Sequence, residues 1–114
     1  MKYLTRLIDA TRYSWAGIFT AMRKEPAFQT EVAILPFAII GAFYFGDNTL
    51  EKLLLVVSWM LVLIVELLNS AIEAVVDRIG TEHHELSGAA KDMGSAAVHL
   101  SLITAVIIWV VIVF

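Results

Sequence analysis

Residues 61–78 read LVLIVELLNSAIEAVVDR. Twelve of these eighteen residues are apolar, yet Glu66, Asn69, Ser70, Glu73 and Asp77 interrupt them. The spacing gives the interruption a shape. An α-helix turns about 100° per residue, so the five polar positions fall within an arc of roughly 100°. They form a stripe about 16 Å long at a rise of 1.5 Å per residue. Ionisable groups in a membrane segment cost a few kcal/mol each on insertion scales, so a chain that keeps two on one face has something for them to meet. Asn69 and Ser70 alone would serve equally well as hydrogen-bonding glue between helices. Glu66 and Glu73 together repel each other and accept hydrogen bonds only, which makes a divalent cation the natural third party.

Working outward, the apolar run containing this stripe extends over residues 53–76. Two further runs flank it. Residues 27–45 reach the length of a span once counted from Ala27, with Pro36 predicted to kink the helix. Residues 95–114 form another. FGDNTLEK (45–52) reads as a turn and RIGTEHHELSGAAKD (78–92) as a polar loop punctuated by Gly80 and Gly88. Residues 3–23 scatter Leu4, Leu7, Ile8, Tyr13, Trp15, Ile18, Phe19 and Met22 among charges, the pattern of an amphipathic helix lying in the membrane interface. The charges at Lys2, Arg6, Asp9 and Arg12 keep this segment from reading as a secretory signal peptide.

The bulk composition agrees. Of 114 residues, 60% are hydrophobic and the mean hydropathy is +0.82, against about 45–50% apolar in soluble domains. The net charge of −3 comes without a dense basic patch, so no nucleic-acid partner is expected. With no cysteine, thiolate metal sites and disulfides are excluded. The expected fold is therefore a single all-α membrane domain over residues 1–114, an interfacial helix followed by three transmembrane helices. Lys2, Arg6, Arg12, Arg23 and Lys24 precede the first span, and Arg78 and Lys91 lie in the long loop. The short turn holds only Lys52. This bias places the N-terminus and the long loop in the cytoplasm and the C-terminus outside.

Other acids gather at the same depth: Glu25 and Glu31 at the start of the first span, Asp92 beside Lys91 at the start of the third. Carboxylates without cysteine favour magnesium over zinc, and magnesium on one or two carboxylates usually also holds nucleotide phosphates. That points to phosphoryl transfer at the membrane surface. Neither GxxxxGK[ST] nor GxGxxG occurs. Lys91 and the N-terminal basic residues would supply the positive charge.

VELLNSAIEAVVDRIG followed by HELSGAAKDMGSAAV resembles the prokaryotic diacylglycerol kinase family over essentially the whole chain. Tyr13–Gly17 (YSWAG) and the Glu25–Phe28 segment fit as well. The resemblance implies homotrimers with active sites shared between chains, in a bacterial inner membrane. It implies transfer of the ATP γ-phosphate to the primary hydroxyl of sn-1,2-diacylglycerol, giving phosphatidic acid. By resemblance Glu66 is the general base, Asn69 orients the reacting groups, and Glu25 and Glu73 bind Mg2+. ATP contacts would fall on Arg6, Tyr13, Glu25, Glu73, Glu82, His83, His84, Lys91 and Asp92. Lipid contacts would fall on Arg6, Ala10, Tyr13, Ser14, Trp15, Phe19, Met22, Phe28, Glu31, Asp47, Lys52, Glu66, Ser95 and Trp109.

Three positions depart from the family pattern. Pro26 stands where a small residue is expected, His83 where an aromatic is usual, and His99 in a region usually apolar, where a hydrogen bond near the interface is its expected role. Three other readings compete, one of them a structural helix-packing protein, against which the two buried carboxylates speak. An undecaprenol kinase would share the fold and the catalytic residues, although DMGSAAV (92–98) looks more like the diacylglycerol branch. A small transporter subunit would use one buried Glu as a proton or cation site.

Overall fold

The computed structural model describes residues 1–114 as four α-helices and no strand. Helix α1 spans Lys2–Lys24 and leads directly into α2, Pro26–Phe45. Glu25 alone joins them, in extended backbone at φ −114° and ψ 100°. Pro26 dictates this: a proline disfavours helical backbone in the residue before it and fits the first position of the helix it opens. Only Ala21 of α1 is buried, and α1 packs mainly on α2 with a slight touch on α3. Trp15, Phe19 and Tyr13 are all exposed along it.

Helix α2 continues through Pro36 as one element. The turn that follows is shorter than expected from residues 45–52. Asn48 caps α3, its Oδ1 accepting from the Glu51 N–H at 2.9 Å, and the Glu51 carboxylate accepts in return from the Asp47 N–H at 3.2 Å. This reciprocal bonding starts α3 at Thr49, so Lys52 lies in a helix rather than a turn. Helix α3 spans Thr49–Ile79, 31 residues. At 1.5 Å per residue it is about 46 Å long, well beyond a hydrocarbon core of roughly 30 Å.

The polar loop is also shorter than 78–92. Only Gly80–His84 are non-helical. His84 Nδ1 accepts from the Leu86 N–H at 3.1 Å and opens α4, Glu85–Val113. Lys91 and Asp92 therefore sit about two turns into a helix.

Helix α3 is the centre, packed against both α4 and α2. Gly94, Ser101 and Ala105 are the buried residues of α4, and small residues are what let helix backbones approach closely in a membrane. The Trp109 indole N–H donates to Ser58 Oγ at 3.2 Å across the same contact. Two helix ends thus receive local caps, while the middle is held by small-residue packing and by the indole bonds of Trp109 to Ser58 and of Trp59 to the Glu31 carbonyl.

Little of the chain is buried: 15 of 114 residues, five of them polar or charged (Glu31, Ser58, Glu66, Asn69, Ser101). The radius of gyration is 17.0 Å, with extents of 49 × 44 × 23 Å. A compact soluble domain of this length would have about 13 Å. Phe37, Ile40, Leu100 and Val111 are among the large apolar side chains left exposed. Such a surface suits lipid as solvent, and α2, α3 and α4 are each long and apolar enough to cross a membrane.

Candidate functional site

The polar stripe of α3 faces inward. Glu66 is 6% exposed and Asn69 8%, while Glu73 is half-buried. The Asn69 amide donates to Glu73 Oε1 at 3.4 Å, one turn along the helix. Across from them α2 contributes Glu31, 8% exposed and within electrostatic reach of Glu66. Glu73 and Glu25 also act on Glu66. Four carboxylates from α2, α3 and the α1–α2 junction thus converge on one region.

The region is short of hydrogen-bond partners. Glu31 Oε2, Asn69 Oδ1 and Ser70 Oγ are buried without any. Buried polar atoms are normally satisfied, and each exception calls for an explanation such as a ligand. Gly94 of α4 closes the floor: a Cβ there would run into Asn69 Oδ1. No three acidic or imidazole groups converge tightly enough to cage an ion by themselves. The donor set is nonetheless all hard oxygen. Magnesium usually takes one or two carboxylates and completes its shell with phosphate and water, so a three-residue cage is not required.

A second feature lies beyond the C-terminal end of the stripe. A polar pocket of ≈220 Å³ is lined by Asp77, Glu82, His83, His84 and Lys91, among others. Lys91 Nζ pairs with Asp77 Oδ1 at 2.7 Å, both side chains about half exposed, and Glu73 lies within electrostatic reach of Lys91. Four of the residues expected to contact ATP therefore share one pocket adjoining Glu73. Asp92 does not line it, and Arg6 and Tyr13 lie exposed on α1.

The residues expected to contact lipid separate into groups. Ser14 lines a cleft of ≈590 Å³ between α1 and α3, together with Thr20, Leu67, Ser70 and Glu25, the last expected as a metal and ATP residue. Phe28 is instead buried with Ala21 and Leu63, with Met22 packed against them. Trp15 and Phe19 are exposed, their ring centroids 6.3 Å apart, and Ala10 is exposed too. Asp47 and Lys52 lie at the opposite end of the bundle, the Lys52 ammonium 5.6 Å from the Phe43 ring centroid. Fourteen residues separate Lys52 from Glu66, about 21 Å along the helix. Trp109 lines an apolar groove of ≈320 Å³ with Ile34, Phe37 and Trp59. His99 is exposed and bonds through Nδ1 to the Ser95 carbonyl at 3.0 Å, a local contact within α4.

Three residues escaped the sequence reading as parts of this arrangement. Asp77 was legible as the end of the stripe, but not as the partner of Lys91. Gly94 carried no signal beyond being small. Trp59 lies seven residues before Glu66 and so on the same helix face, which is the one clue that it reaches the site.

Comparison with known proteins follows the same outline. Residues 12–113 match the family model for prokaryotic diacylglycerol kinase. The chain is 54% identical over 105 residues to the diacylglycerol kinase of Escherichia coli K12, covering 92% of this chain and 86% of that protein. It is 48% identical over 106 residues to the Haemophilus influenzae diacylglycerol kinase, covering 93% and 90% of the two chains. The Pseudomonas aeruginosa diacylglycerol kinase is 46% identical over 106 residues, at 93% and 86% coverage.

Proposed function

Since the chain belongs to the prokaryotic diacylglycerol kinase family, we propose that it phosphorylates the primary hydroxyl of sn-1,2-diacylglycerol from ATP, with Glu66 as general base. The observation that carries the assignment of the base is Glu66 itself: a carboxylate 6% exposed, on a helix face where Asn69 and Glu73 follow it and Glu31 stands across from it.

A lipid hydroxyl is a weak nucleophile at neutral pH, and a positioned carboxylate can take its proton as the new bond forms. The hydroxyl oxygen attacks the γ-phosphorus, the bond from that phosphorus to the β–γ bridging oxygen breaks, and ADP leaves. The proton passes to Glu66. The products are phosphatidic acid and ADP. Glu73 lies about 10 Å further along α3 than Glu66, toward the polar pocket. That order suits a base at the lipid hydroxyl and a cation ligand near the nucleotide. Glu25 and Glu73 would hold Mg2+, which would offset charge on the phosphates. Asn69 holds the Glu73 carboxylate in place through its amide. Lys91, steadied by Asp77, and the Glu82–His84 stretch would receive the nucleotide phosphates, with Asp92, Arg6 and Tyr13 completing the contacts. The Ser14–Glu25 cleft would admit the glycerol end of the lipid, and Trp109, Lys52 and Asp47 would meet its more distant parts.

Homotrimers in a bacterial inner membrane, with the N-terminus cytoplasmic and the C-terminus outside, belong to the same proposal. The low burial of α1, the open cleft beside it and the placement of Lys and Arg support it.

The test is transfer of label from γ-labelled ATP by purified protein in detergent micelles, offered dioleoylglycerol or undecaprenol, with and without magnesium. Magnesium-dependent label in phosphatidic acid is expected. Label in undecaprenyl phosphate alone would move the activity to the other lipid, and no label from folded protein would overturn the kinase reading.

A further inference from the structure

Trp59 sits on α3 two turns before Glu66, rotated by only about 20° from it around the helix. Its indole N–H donates to the backbone carbonyl of Glu31 at 2.8 Å, a bond between α3 and α2 that spans 28 residues of sequence. The site of attachment is mechanically apt. Pro36, five residues on, has no N–H, so the carbonyl of Val32 lacks its usual helical donor. Helix α2 is thus weakened one residue away from the carbonyl that Trp59 holds. Helices α2 and α3 are joined by a three-residue turn and run antiparallel. Helical side chains tilt toward their own N-terminus. The Glu31 side chain therefore leads from the pinned carbonyl back toward the level of Glu66, which its carboxylate does reach electrostatically. That carboxylate is more than nine-tenths buried and its Oε2 has no partner.

Resting on the reading of Glu66 as the base, we propose that Trp59 is a positioning residue for phosphoryl transfer. Its indole N–H fixes α2 in the register that sets the Glu31 carboxylate opposite Glu66, and this closes one side of the place where the lipid hydroxyl docks. The bond is made in a half-buried, membrane-depth setting, where interhelical hydrogen bonds contribute without competition from bulk water. Trp59 touches no reacting atom. It acts through Glu31, so its loss disturbs the lipid hydroxyl and spares the nucleotide, which lies toward the Lys91 pocket.

The experiment removes the N–H and nothing else. Trp59 is replaced in the full-length protein by 3-benzothienylalanine, in which sulfur takes the place of the indole N–H while ring size and shape are kept. Trp59→Phe is prepared alongside. Misplacement near reacting groups costs up to about a hundredfold in rate. On that scale we expect kcat with dioleoylglycerol to fall on the order of tenfold in the sulfur analogue, with KM for ATP within about twofold of the parent. Coupling supplies a second readout, because residues acting through one another are non-additive. In a Glu31→Ala background, where no carboxylate remains to be placed, the same replacement is expected to cost less than about twofold further. Full kcat in the sulfur analogue would overturn the proposal, as would an undiminished loss in the Glu31→Ala background. A loss in Trp59→Phe alone would make Trp59 a packing residue and likewise overturn it. Glu66→Gln is assayed in the same series. Near-normal turnover there would remove Glu66 as the base, whereas a silent sulfur analogue beside an inactive Glu66→Gln would remove the pin alone.

Discussion

At the scale of single residues, the site is a collection of oxygens that the fold leaves incompletely satisfied. Glu31 Oε2, Asn69 Oδ1 and Ser70 Oγ have no partners, and Glu73 has one weak donor in Asn69. An unpaired buried charge costs several kcal/mol, so such groups persist where ligands complete them. Glu73→Gln keeps the size of the side chain and its ability to accept from Asn69, but loses the charge proposed to hold magnesium. The expected result is a rise in the magnesium concentration for half-maximal rate of roughly tenfold or more, the usual scale for losing a hydrogen-bonded charge at a ligand site. A magnesium titration of initial rate checks it; an unchanged midpoint would count against the ligand role. Much of this site was legible in the sequence, because a stripe at helical spacing is a property of one segment. Its closure was not. Glu31 across from Glu66, Asp77 against Lys91 and Gly94 under Asn69 are meetings between helices. Spacing within one helix says nothing about which face of the next will meet it.

At the scale of elements, what differed from expectation was where helices begin. The composition of residues 45–52 and 78–92 predicts a turn and a loop, yet Asn48 and His84 each close a helix start with their own side chains. The turn thereby contracts to three residues and the loop to five, and Lys52, Lys91 and Asp92 become helical. Polar composition marks where a helix leaves lipid, which is not where it ends. Helix α3 extends well past the hydrocarbon and carries Asp77 outward on rigid backbone, which is why the Lys91 pair can form at a fixed place. The Asn48 cap is far from the proposed chemistry and offers a clean test. Asn48→Ala is expected to lower stability by about 1 kcal/mol, the usual worth of an N-cap. Thermal unfolding in detergent should show the lower midpoint, with kcat and the KM for ATP unchanged in the protein that remains folded. A loss of kcat without a loss of stability would mean that the outer turn takes part in catalysis.

At the scale of the whole molecule, one chain is a thin slab, 23 Å in its shortest dimension, with an exposed first helix and an open cleft beside it. Three apolar helices make the membrane reading legible from sequence, since hydropathy over twenty residues is a bulk property. What meets the cleft is a property of surfaces, which hydropathy does not describe. If other copies cover it, the purified protein in micelles should have a detergent-corrected mass of about three chains by light scattering, as the proposed homotrimer requires. A fully active species with the mass of one 12.6 kDa chain would contradict sharing of the site.

The proposed chemistry passes through Glu66, so its most direct measurement is single-turnover phosphoryl transfer by Glu66→Gln, with Mg-ATP binding measured on the same sample. The substitution preserves shape and removes the proton acceptor. With Glu66 as the base, the variant is expected to be folded and membrane-inserted, to bind Mg-ATP with little change and to transfer phosphate to dioleoylglycerol at least about a hundredfold more slowly, the scale of a lost general base. Transfer at a near-normal rate would contradict it and leave the carboxylate in the middle of α3 without the role assigned to it.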